Sequence, residues 1–160
     1  MVLSIIGVGV SRALAVDGPL ANATVSFGLW KSDPPLDRFP SNSPPTGQLN
    51  EVIPNAVTIK AGGAINFIIS GFHQIAVYDA GTQPDDISLE NPITPPAAGL
   101  ISDSNDRIYR GLDPNAQPRD RIEAVTFAQP GTYLVICTVI PHFVNNNMFG
   151  YVKVLPANGK

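Results

Sequence analysis

From residue 23 onward, apolar and polar residues alternate in short runs with a period of two. That period places successive side chains on opposite faces of a strand. Val25, Phe27 and Leu29 alternate with Thr24, Ser26 and Gly28. Val57 and Ile59 alternate with Thr58 and Lys60 and, after Ala61-Gly62-Gly63, Ile65, Phe67 and Ile69 resume the apolar face. This spacing predicts two strands joined as a hairpin-type pair. Ser70-Gly71 then leads into residues 72–78, where His73, Ile75 and Val77 share one face, so His73 is expected to point toward the core side at the start of a strand.

The last third reads most clearly. Residues 122–127, 133–138 and 149–155 have strand character, and Gln129-Pro130-Gly131 makes a turn between the first two. Tyr133, Val135 and Cys137 fall on one face, while Leu134 and Ile136 make the other face apolar too, as in the interior of a sandwich. Two stretches read differently. Residues 31–54 carry six prolines among Ser, Asn and Asp, as a long surface connection does. Residues 79–121 are polar and proline-punctuated, with apolar islands at 87–89, 100–101 and 108–109. No internal repeat occurs, and no helix-period stretch exceeds a turn or two. The expected class is all-β, with long proline-rich connections.

Composition narrows the function. The 160 residues suit one domain, and 44 % hydrophobic with 14 % charged residues argues for a compact core rather than disorder. Ten basic against thirteen acidic side chains, a net charge of -3 and no run of Lys or Arg argue against nucleic-acid binding. Residues 2–10 are apolar and Ala13-Leu14-Ala15 has the small-x-small form of a cleavage site, so residues 1–15 read as a secretory leader ahead of a single domain over 16–160. Arg12 follows the apolar run instead of preceding it, and the other reading is an ordinary first strand. The run is too short to span a bilayer and no other segment approaches that length. A periplasmic or secreted protein of the cell envelope, without stable membrane insertion, is expected.

The chemistry concentrates in one place. The chain's only cysteine, Cys137, lies close in sequence to His142, one of two histidines, and Met148, one of two methionines. The other histidine is His73. Each alone has an ordinary explanation as a packed core residue. Together they are a thiolate, two imidazoles and a thioether, the donor set of a copper electron-transfer site with three strong ligands and one weak axial sulfur. Cys137 ends a strand, His142 follows in the loop and Met148 begins the return strand, so the loop folds three donors around one point. His73 arrives from a separate strand. Pro141 stiffens the approach to His142.

The segments Gly131-Thr132-Tyr133-Leu134-Val135-Ile136-Cys137, Pro141-His142 and Met148-Phe149-Gly150-Tyr151-Val152-Lys153-Val154 resemble the C-terminal signature of the cupredoxins, the plastocyanin and azurin superfamily. The stretch from Asn55 through His73 is similar to that family's central strands and first histidine ligand. The resemblance implies a Greek-key β-sandwich or barrel with one type 1 copper ion held by His73, Cys137, His142 and Met148. Two departures stand out. Many members place Asn after the first histidine, where this chain has Gln74, and the metal loop is longer than in plastocyanin-like members, with four residues between Cys137 and His142 and five between His142 and Met148.

The function so implied is electron transfer, cycling Cu(I)/Cu(II) between redox protein partners that dock near His142, on an apolar patch of Pro141, Phe143 and Phe72 or Phe149, with core packing the other reading of Phe143. The alternative is copper sequestration or delivery in the cell envelope, although the chain lacks the Met-rich or His-rich tracts of such proteins. No enzyme activity is expected. Multicopper oxidases and copper nitrite reductases need further histidines, and a Cys137 and His142 dyad has no orienting third group.

Overall fold

The computed structural model describes residues 21–28, 50–90, 99–116 and 118–157. The leader read over 1–15, Leu29 and most of the 31–54 connection lie outside them. The described residues form two facing sheets. One contains β1 (Asn22–Gly28), β2 (Val52–Ile53), β4 (Gly63–Ser70) and β7 (Arg121–Phe127), in the order β2-β1-β4-β7. The other contains β3 (Ala56–Lys60), β5 (Ile75–Ala80), β6 (Arg107–Arg110), β8 (Gly131–Cys137) and β9 (Phe149–Leu155), in the order β3-β9-β8-β5-β6. β1 runs parallel to β4 and β3 parallel to β9, and the remaining neighbours are antiparallel.

The period-two alternation explains the core. Phe27, Ile65, Phe67, Ile69 and Phe127 from the first sheet meet Ile59, Ile75, Val77, Val135 and Val152 from the second in one buried cluster. Each such side chain taken fully out of water contributes about 1.5–3 kcal/mol.

The hairpin expected around residues 61–63 does not form. β3 pairs with β9 in one sheet, while β4 pairs with β1 and β7 in the other, so the turn carries the chain across the sandwich. Ile59 and Ile65 still both face the core, from opposite sheets. Alternation therefore survives although the pairing differs. The short connection is held by Ala61 N–H donating to the Leu155 carbonyl and Gly62 N–H to the Phe127 carbonyl, one in each sheet.

Described parts of the 79–121 connection, around Ile87 and Ile101, pack on the outside of the second sheet. Ala76, Tyr78, Leu134 and Ile136 point away from the main core into a second buried cluster with Ile87, Ile101 and Phe143. The connection contains a 3-10 turn at Pro84–Asp86 and the edge strand β6. Tyr78 donates its hydroxyl to the Asp103 carbonyl, and the Asp103 carboxylate accepts from the Ser88 and Asn105 amides. Among the described residues, no helix is long and apolar enough to cross a membrane.

Candidate metal centre

β8 delivers Cys137 to one end of the sandwich, where it pairs with Ile75 at the start of β5. His73 lies two residues before β5, so the pairing that sets the sheet also brings His73 beside Cys137. The segment after Cys137 is a short helix rather than a plain loop: α1 spans Ile140–Asn146. Pro141 sits in its first turn, where the missing N–H costs nothing, and Asn147 ends it in the left-handed conformation that Asn tolerates. Ile140 and Phe143, three residues apart, pin α1 to the outer apolar cluster. His142, between them, faces the end of β8.

Three ligand atoms converge. Cys137 Sγ lies 3.6 Å from His73 Nδ1 and 3.7 Å from His142 Nδ1, and the two Nδ1 atoms are 3.1 Å apart. The point equidistant from all three lies about 2 Å from each, the length of a metal–nitrogen bond. They form one cluster with metal-binding spacing. Met148 is fully buried and precedes β9 by one residue; its amide donates to the His142 carbonyl and its carbonyl accepts from the Cys137 amide. The backbone thus ties Met148 to both loop donors.

Phe27 and Gly28 hem in the His73 ring. Its ring meets Phe27 edge-on at 6.1 Å between centroids. A Cβ at Gly28 would lie 3.0 Å from the imidazole and 2.3 Å from the Ser70 carbonyl oxygen, and Gly28 has φ +114°, so glycine is required there on both counts. His73 is 1 % exposed, whereas His142 is only partly buried.

The electrostatics keep all three groups neutral without a cation. Burial, then His142 and the Arg121 guanidinium, push the His73 pKa down to about 3, and burial also lowers His142. Burial pushes the Cys137 thiol up to about 12 against the opposing pull of the Val139 and Gln74 backbone N–H groups and of Arg121. Both imidazoles therefore have free lone pairs at neutral pH, and the thiol proton is the one a bound cation displaces. Sulfur with two imidazoles suits copper or zinc among common ions.

Gln74 braces the cysteine strand. Its Oε1 accepts from Thr138 Oγ1 at 2.8 Å and Arg110 Nε at 3.3 Å, its Nε2 donates to the Gly111 carbonyl at 2.9 Å, and its backbone carbonyl accepts from the Thr138 amide. Thr138 directly follows Cys137. The longer side chain thus ties the Cys137 strand to the segment after β6.

Of the two readings of Phe143, docking patch or core, the structure gives the second: it is 8 % exposed and belongs to the outer core cluster. Pro141 and Val144, one and two residues from His142 in sequence, are exposed apolar residues of α1. Sequence reasoning also passed over Arg121 and Glu123, which form an ion pair at 2.6 Å beside His73. The available signal was their alternation with Val125 and Phe127, which puts charge on an otherwise apolar face.

The chain has the cupredoxin fold. It superposes on dithionite-reduced auracyanin from Roseiflexus castenholzii with TM-score 0.51 at 18 % identity, covering 87 % of this chain and 100 % of that one. Auracyanin A, a "blue" copper protein of the green thermophilic photosynthetic bacterium Chloroflexus aurantiacus, matches with TM-score 0.51 at 21 % identity over 86 % of this chain and 100 % of its own. Auracyanin B gives 0.50 at 17 % identity, with 88 % and 94 % covered. No family model and no curated protein sequence matches.

Proposed function

We propose that this chain is an electron-transfer protein of the cell envelope holding one type 1 copper ion through His73, Cys137 and His142, with Met148 as the weak axial ligand. The observation that carries the reading is the triangle of Nδ1, Nδ1 and Sγ atoms with sides of 3.1 to 3.7 Å, already closed around one point. Bound copper supplies a one-electron Cu(I)/Cu(II) couple.

The residues supply the rest. Cys137 offers the thiolate, which the Gln74 and Val139 N–H groups are placed to stabilise. His73 is locked by Phe27 and Gly28, so the donor set resists rearrangement when charge changes. Met148, buried and tied by its backbone to both loop residues, would offer the weak thioether donor. His142 is the partly exposed donor, and Pro141 and Val144 are exposed apolar residues of the same short helix, the kind of small apolar surface that brief redox encounters use.

Voltammetry of the copper-loaded protein tests this reading. A reversible one-electron wave, lost in Cys137→Ala, is expected. A protein that binds copper but passes no reversible current contradicts it.

A further inference from the structure

The segment that carries His73 into the site is held from outside by three consecutive residues of a distant stretch. The Arg119 guanidinium carbon lies 5.4 Å from the centre of the Phe72 ring, within cation–π range. Asp120 Oδ1 accepts from Ser70 Oγ at 3.0 Å and from the Gly71 amide at 3.1 Å. Arg121 Nη2 donates to the His73 carbonyl at 2.9 Å. Residues 119–121 therefore grip residues 70–73 one after another.

Arg121 is itself anchored. Its Nε lies 2.6 Å from Glu123 Oε1, and Glu123 Oε2 accepts the Tyr109 hydroxyl at 2.8 Å. β7 and β6 are the outermost strands of their sheets, so the Tyr109–Glu123 bond clasps the open side of the sandwich. The Arg121 and Glu123 side chains are 8 % and 4 % exposed. Desolvating such a pair costs several kcal/mol per ion, and apolar residues of similar volume often stabilise a fold as well or better. An apolar pair has no donor for the His73 carbonyl. Gly71, at φ +89°, would otherwise be a hinge two residues before the ligand.

We propose that Asp120 and Arg121 are positioning residues for the metal, a splint that fixes the backbone from which the His73 imidazole projects. This rests on the copper reading of the site. Outer-shell partners of metal ligands typically contribute 10–100-fold in affinity.

The test uses Asp120→Ala, Arg121→Lys and the double variant Arg121→Met with Glu123→Gln, which leaves no unpaired charge buried. Amide hydrogen exchange at residues 70–74 is followed in the metal-free protein, and Cu(II) affinity and reduction potential are measured separately. The splint predicts roughly tenfold or faster exchange at Gly71 and His73 in Asp120→Ala and the double variant, with unchanged exchange in β8. It also predicts a roughly 10–100-fold loss of Cu(II) affinity, a shifted potential, and partial recovery in Arg121→Lys. Wild-type exchange at 70–74 with wild-type affinity overturns it, as does an exchange increase spread evenly over every strand. If the wild-type chain takes up no copper, the proposed function fails, and exchange in the metal-free protein alone decides the splint.

Discussion

The Nδ1 atoms of His73 and His142, 69 residues apart in sequence, lie 3.1 Å from each other across the end of the sandwich. Two imidazolium ions at that distance would repel strongly, and the site is arranged so that neither ring is charged near neutral pH. Burial, His142 and Arg121 hold the His73 pKa down to about 3. The unfolded chain protonates this residue near 6.5. Its contribution to stability is therefore complete above that value and is lost as pH falls toward 3, with a slope of about 1.4 kcal/mol per pH unit for one proton. Denaturant unfolding of the metal-free protein between pH 7 and pH 4 should show the midpoint falling, and His73→Gln should flatten the fall. An equally steep fall in His73→Gln would assign the loss to other groups.

Gly28→Ala places a Cβ 2.3 Å from the Ser70 carbonyl oxygen and 3.0 Å from the His73 ring, at φ +114°. Backbone strain and overpacking together should cost about 2–3 kcal/mol. Thermal unfolding of the metal-free variant checks the loss, and copper affinity should fall with it because the displaced ring belongs to the proposed site.

Gln74→Ala leaves the buried Thr138 hydroxyl and the Gly111 carbonyl without the partners they have at 2.8 and 2.9 Å. The expected cost is about 2 kcal/mol. Gln74→Asn, one methylene shorter, should reach only one of the two and recover part of it. Unfolding midpoints of the two variants separate these outcomes.

Two neighbouring residues of α1 should behave in opposite ways. Phe143 is buried in the outer cluster, so Phe143→Ala should destabilise by about 3 kcal/mol. Val144 is 48 % exposed, so Val144→Asp should leave the unfolding free energy within about 0.5 kcal/mol of wild type. The same change should slow electron self-exchange about tenfold, since two copies meeting at His142 would then oppose like charges. Stability measurements and self-exchange rates on the pair check both halves.

Much of this was legible in the sequence because strands announce themselves by alternation. Val25 and Phe27, then Ile65, Phe67 and Ile69, then Tyr133, Val135 and Cys137 point inward as their period requires. The meeting of Cys137 and His142 was legible because they lie close in sequence at the end of one strand. The pairing of β3 was not legible. A turn such as 61–63 leads equally well to the next strand of the same sheet or across to the other, and Ile59 and Ile65 face the core either way. α1 escaped notice because seven residues are too few to display a helical period, and it forms through the anchorage of Ile140 and Phe143 and the left-handed Asn147. The brace and splint residues Gln74, Asp120 and Arg121 act on backbone groups tens of residues away, which no local pattern encodes.

The visible absorption and EPR spectra of the oxidised, copper-loaded protein test the site most directly. An intense thiolate-to-copper charge-transfer band with the narrow hyperfine splitting of a type 1 centre is expected, absent in Cys137→Ala and retained with a shifted potential in Met148→Gln. A colourless copper-loaded protein, or a Cys137→Ala protein that keeps the band, would contradict the assignment of His73, Cys137, His142 and Met148.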